Sequence, residues 1–327
     1  MKINQPGDDL FTDRLLFYLQ RKFPFPVQKI IPVKKQVYKI QTNDQIFILK
    51  GFCSYRHLKI QREFADCLMK EGFAGTCPFL HLHEEPLFFQ GYYYGCLKYL
   101  PPAPVPFSFK NARDRLRGLA LLKRYHQVSG RLVKFFESDI ARHNILQKWR
   151  QRTASFLKNL AMIKYFVQKE ILAEMLMWAD WSLKGLGQCS RRRKEKRTVI
   201  LHGDVADHNF LLARDGCLYL IDFDLIKIGD PLWDYLQYAS RILPFLNWSV
   251  TELKRMEEIS WFFREDAFIF ALAYPADIFR EWNRAIREGS FARQDKLEFL
   301  FHITVEQFSE RQKFFKDLQN LADKMAR

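Results

Sequence analysis

Three side chains able to handle a proton or a metal ion lie close together in this sequence: Asp204, Asn209 and Asp222. They belong to His202-Gly203-Asp204-Val205-Ala206-Asp207-His208-Asn209, followed at short range by Ile221-Asp222-Phe223-Asp224. A carboxylate can take the proton of a hydroxyl as that oxygen attacks. An amide oxygen and a second carboxylate can share a hard divalent cation. Together these groups serve phosphoryl transfer, in which a base handles the nucleophile and bound cations neutralise the phosphates. The flanking residues can deliver them. Val199, Ile200 and Leu201 are apolar and read as a strand leading to His202. Residues 210–212 and 218–221, joined by a turn at Arg214-Asp215-Gly216, read as a hairpin whose exit presents Asp222.

The spacing narrows the reading. Asp204 precedes Asn209 by five residues, the interval that separates the catalytic Asp from the metal-binding Asn in the protein-kinase catalytic loop. Gly203 stands where that loop carries an Arg. The combined pattern, with Gly229-Asp230-Pro231 and Asp234 downstream, resembles the aminoglycoside phosphotransferase and choline kinase superfamily, and within it the bacterial spore-coat kinase-like members. The resemblance implies Asp204 as catalytic base and Asn209 and Asp222 as Mg²⁺ ligands. It also implies His202 as a loop-shaping residue and Asp234 as a structural tie between the following helix and the catalytic loop.

Such a site needs partners upstream. Residues 45–50 form a strand-like apolar run ending in Lys50, a position from which a kinase lysine meets the nucleotide phosphates. A helical pattern over residues 57–71 carries Glu63, a candidate ion-pair partner for Lys50. The loop between, Val33-Lys34-Lys35-Gln36-Val37, has no glycine, although glycine is what lets backbone amides approach phosphates closely. Lys34 and Lys35 can act there as point charges, or simply form a basic hairpin tip. Pro101-Pro-Ala-Pro-Val-Pro106 can continue neither helix nor sheet and reads as a stiff inter-lobe hinge. Backbone groups of Lys98, Tyr99 and Leu100 would then face the adenine of ATP.

The chain has 327 residues, of which 48% are hydrophobic and 31 are Phe, enough for a large core. Its elements suggest an α+β, two-lobed protein-kinase-like fold: a small mixed β lobe over residues 1–100 and a larger, mostly helical lobe over 101–327. Helices are expected at 9–22, 57–71, 111–128, 140–149, 153–184, 232–243, 251–286 and 295–326. The six cysteines are scattered with no C-x-x-C pair, so reduced thiols and a cytoplasmic location are expected. No apolar leader or membrane-spanning run is evident.

Lys and Arg number 52 against 37 Asp and Glu, a formal charge of +15. Part of it lies in Arg191-Arg-Arg-Lys-Glu-Lys-Arg197. Such a run forms a solvated loop or meets an anionic partner. No nucleic-acid-binding signature accompanies it. The charge argues against a polycationic antibiotic as substrate. The expectation is therefore an ATP- and Mg²⁺-dependent kinase acting on a hydroxyl of a small molecule. Two alternatives stand beside it. One is a kinase-fold structural or interaction protein of spore-coat type with weak or no catalysis. The other is a metal-dependent phosphoesterase built on His202, Asp204, Asp207 and His208. His126 and the aromatic group Trp261, Phe262, Phe263, Phe268, Phe270 and Tyr274 are read as packing residues.

Overall fold

The computed structural model describes residues 6–83, 85–192 and 197–326. The chain opens with α1 (Pro6–Lys22), β1 (Val27–Lys34), β2 (Val37–Thr42) and β3 (Ile46–Phe52). α2 (Tyr55–Lys70), β4 (Phe79–Leu80), β5 (Leu87–Phe89) and β6 (Tyr92–Lys98) follow. Next come α3 (Ala112–Ser129), α4 (Val133–Phe136), α5 (Ile145–Ile163), α6 (Lys169–Arg192) and β7 (Val199–Leu201). A hairpin of β8 (Phe210–Leu212) and β9 (Leu218–Leu220) precedes β10 (Lys227–Gly229) and α7 (Leu232–Ile242). The rest is helical: α8 (Val250–Lys254), α9 (Glu257–Ser260), α10 (Asp266–Leu272), α11 (Ala276–Arg287), α12 (Gln294–Phe301) and α13 (Phe308–Ala326). The fold is α+β, as the sequence suggests. No helix among the described residues is long and apolar enough to cross a membrane. Residues 193–196, the middle of the basic run, lie outside the described residues.

The chain forms two compact units. The first comprises Met1–Phe107, Leu121–Asp139 and Asp207–Ile226, the second Ser108–Ala120, Ile140–Ala206 and Lys227–Arg327. The first is built on a six-stranded antiparallel sheet, order β1-β2-β3-β6-β4 with β5 also on β6. Strand alternation gives the sheet two apolar faces. Phe47 and Leu49 of β3 pack with Leu15, Leu19 and Phe23 of the α1 region, whereas Phe52 packs with Leu58 and Ala65 of α2. Lys50 shares the Phe52 face, its ammonium 5.2 Å from the centre of that ring. Opposite Lys50 in register stands Gly95. A Cβ there would come within 2.7 Å of Leu58, so the glycine lets α2 settle onto the sheet beside Lys50.

The second unit packs helices through aromatic pairs. Phe156 of α5 stacks on Phe279 of α11 at 4.0 Å, and Trp149 stacks on Tyr274 at 4.1 Å. Trp178 of α6 meets Phe308 and Phe315 of α13. Phe262, Phe263, Phe268 and Tyr274 are buried, whereas Trp261 is exposed. β7 is wholly buried and pairs antiparallel with β10, placing Lys227 opposite Leu201. Two long helices differ from expectation. Residues 150–152 contain no breaker and α5 runs through them to a C-cap at Lys164. The stretch 251–286 is divided, with Pro275 at the start of α11.

Candidate active site

β7 ends at Leu201, and His202 with a sharp turn at Gly203, φ +80, carries the chain to Asp204. The turn is held from α7. The buried carboxylate of Asp234 accepts the His202 N–H at 2.7 Å and the Gly203 N–H at 3.0 Å. Gln237 donates to the Gly203 carbonyl at 3.1 Å. The Asp204 N–H donates to Nδ1 of His202 at 3.3 Å, so the imidazole shapes the loop from inside. One more turn of α7 brings Arg241, whose Nη2 donates to Oδ1 of Asp204 at 2.7 Å. Residues 234, 237 and 241 recur at helical spacing on one face, which is the signal that would have found Arg241 in the sequence. Asp204 is thus a carboxylate with one oxygen fixed by a guanidinium, in a loop whose His202 and Gly203 backbone is held by α7.

In the sheet-bearing unit, the β8–β9 hairpin pairs Phe210 with Leu220. The Ile221 N–H then donates to the Asn209 carbonyl at 2.9 Å, which sets Asn209 beside the entry to Asp222. Asp222 has φ +71, a left-handed backbone rarely adopted by a non-glycine residue. Lys50 donates to its Oδ1 at 2.7 Å and Lys34 to its Oδ2 at 2.7 Å. Burial opposes the charged form of Asp222, but the two ammoniums overcome it and hold the carboxyl well below the usual carboxylate range. Lys50 also donates to Asp224 at 2.8 Å. The glycine-free loop is a two-residue turn between β1 and β2, with Gln36 in the left-handed region at φ +57. Lys34, at its base, is a point charge on Asp222 and more than a hairpin tip.

Glu63 is not the partner of Lys50. It lies on the solvent side of α2, 3.7 Å from Lys59. The buried face of α2 is set by Leu58, Gln61, Phe64, Ala65 and Leu68, and position 63 points away from it. His57 and Gln61 take the inner polar positions. Nε2 of His57 is 4.0 Å from Asp224 and 3.2 Å from Nε2 of Gln61. In the proposed hinge, the Lys98 N–H is spent on Pro78 and the Lys98 carbonyl accepts from Cys77. Tyr99 and the buried Leu100 follow, with Lys39 over the Tyr99 ring at 4.7 Å.

Asn209 and Asp222 offer only oxygen donors, which suits Mg²⁺. Two protein ligands, with phosphate oxygens and water completing six, is the usual pattern for this ion. Among the described residues no group of three or more His, Cys, Asp or Glu could hold a metal alone. The phosphoesterase alternative on His202, Asp204, Asp207 and His208 therefore lacks its cluster, and His202 is buried within the loop.

The phosphotransferase enzyme family matches residues 33–253, two thirds of the chain and every residue discussed so far in this site. The chain belongs to that family. No curated protein matches the chain. Among solved structures, an aminoglycoside phosphotransferase from Alicyclobacillus acidocaldarius is 14% identical, with a TM-score of 0.70 over 99% of this chain and 98% of that one. A spectinomycin phosphotransferase in complex with ADP and spectinomycin is 15% identical, with a TM-score of 0.59 over 96% and 98%. A choline kinase from Streptococcus pneumoniae is 11% identical, with a TM-score of 0.54 over 96% and 100%. At these identities the likeness establishes the phosphotransferase fold, kinase-like in architecture.

Proposed function

We propose that this phosphotransferase family member moves the γ-phosphoryl group of ATP to a hydroxyl of a small molecule. The observation that carries the reading is Lys50 bonded to Asp222, with Asn209 set beside Asp222 by the hairpin. Lys50 and Lys34 meet the nucleotide's phosphates, and the backbone of Tyr99 and Leu100 meets its base. Asn209 and Asp222 would hold Mg²⁺, which neutralises phosphate charge when bound. Asp204 accepts the acceptor's proton. The acceptor O–H bond breaks, its oxygen bonds to the γ-phosphorus, and the bridging oxygen leaves with ADP. Arg241 orients the carboxylate, and Asp234 keeps the loop from shifting, so that positioning and electrostatics supply most of the rate.

The test is phosphoryl transfer followed by ³¹P NMR with the full chain, MgATP and a set of hydroxyl compounds. A phosphomonoester and ADP formed by the parent and not by Asp204→Asn is the expected outcome. A second reading, a kinase-fold structural protein, draws on the glycine-free turn and on Lys34 occupying an Asp222 oxygen. It takes over if MgATP neither binds nor reacts.

A further inference from the structure

Asp204 shares its unit with cations carried on α5, α7, α11 and β10. α5 carries Lys148 and Arg152 one turn apart on the same face. Nη1 of Arg152 donates to the Ala276 carbonyl at 3.1 Å, which fixes that face of α5 against the start of α11. Arg280 is one turn further along α11 and its Nε donates to Glu281 at 2.9 Å. Below α5, the His143 N–H donates to the Ile228 carbonyl at 2.8 Å, so the start of the helix abuts β10. Lys227 opens β10 opposite Leu201, three residues before Asp204. Arg241 completes the set at 2.7 Å from the carboxylate.

The carboxylates nearby do not balance these charges. Asp277 is engaged by both guanidinium nitrogens of Arg311, at 3.1 and 2.6 Å. Glu281 is held by Lys296 at 2.7 Å as well as by Arg280. Lys148 feels the surplus. Burial first, then Arg152 and Arg280, lower its pKa; Asp204 opposes them and Lys227 adds to them. A surplus of like charge on neighbouring elements favours a ligand of the opposite sign.

We infer that the acceptor is anionic, a hydroxyl compound that also bears a phosphate, sulfate or carboxylate group, and that Lys148, Arg152, Lys227 and Arg280 receive that group beside Asp204. This rests on Asp204 as the base of the proposed reaction. It disfavours polycationic acceptors, because an ammonium placed here adds to the repulsion. Arg152 and Arg280 offer forked donors suited to oxyanions, and Lys148 and Lys227 add point charges.

The inference is tested in the full chain with the nucleotide site filled by MgADP, at constant ionic strength. Inorganic phosphate is titrated by calorimetry into the parent, into Lys148→Ala/Arg152→Ala and into Lys148→Glu. The parent should bind phosphate at millimolar or lower concentration, and each variant should weaken it by about tenfold or more, the loss of at least one charge-assisted contact. Transfer to glycerol 3-phosphate and to glycerol is compared in parallel, and the anionic acceptor should have the higher kcat/KM. Phosphate that does not bind, or that binds both variants as it binds the parent, overturns the inference. So does faster transfer to glycerol. Failure of MgATP to bind the parent would instead remove the kinase reading, an outcome the MgADP control registers separately.

Discussion

Asp204 and Arg241 form the contact on which the proposed chemistry turns. A carboxylate that takes a hydroxyl proton must present one oxygen in a fixed direction, and the guanidinium at 2.7 Å supplies that constraint. Asp204→Asn should keep nucleotide affinity and lose roughly 10²–10⁴ in turnover, the usual contribution of a positioned base. Rapid-quench or steady-state assays with the accepted substrate measure this, and a parallel loss of MgATP affinity would place Asp204 among the metal ligands. Arg241 acts through Asp204. Arg241→Ala should lower kcat more than it raises KM, with Arg241→Lys recovering part of the loss. A KM effect alone would make Arg241 a substrate-binding residue. Backbone spacing and residue type nominate Asp204, Asn209, Asp222 and Lys50 in the sequence, and the structure joins Lys50 to Asp222 and sets Asn209 beside it. Arg241 was not nominated, although its helical spacing from Asp234 and Gln237 carries the signal, and Lys148 and Arg152 look like ordinary surface cations in the sequence.

At the scale of elements, close approach decides where the site residues point. Gly95 sits opposite Lys50, and a methyl group there would meet Leu58 at 2.7 Å and Phe79 at 2.8 Å. Gly95→Ala should therefore destabilise the protein by about 1–3 kcal/mol, as overpacking does. An unchanged melting temperature would show that α2 can lift without cost. The junction of α5 with β10 makes a pH prediction. Burial first, then Lys148 and Lys227, bring His143 down to about 4. The unfolded chain, with His near 6.5, binds that proton more readily. The stability His143 contributes is thus complete above pH 6.5 and is lost as pH falls toward 4. Between pH 7 and 5 the parent should lose about 2 kcal/mol more than His143→Gln in urea unfolding. Equal losses would contradict this.

Helix existence was readable from apolar periodicity, but which polar residue faces inward was not read correctly. Glu63 looked right by position along the chain. The helical phase set by Leu58, Phe64 and Leu68 turns Gln61 inward and Glu63 outward. The division of 251–286 follows from Pro275, a visible breaker, whereas the helical turn at 302–306 between α12 and α13 has no local signature.

Over the whole molecule, charge and ancestry constrain function together. The family and its kinase-like fold define phosphotransfer as the common chemistry, and the chain carries a formal charge of +15. Charge alone gives a direction, and the proposed anion site gives it a place. The central claim is that Asp222, with Asn209, holds the Mg²⁺ of a bound nucleotide. Calorimetric titration of ATP into the parent and into Asp222→Ala, each with Mg²⁺ and with EDTA, tests it most directly. The parent should bind ATP more tightly with Mg²⁺, and the Asp222→Ala protein should bind equally with and without it. A parent that ignores Mg²⁺, or a variant that retains the full Mg²⁺ effect, would contradict the account.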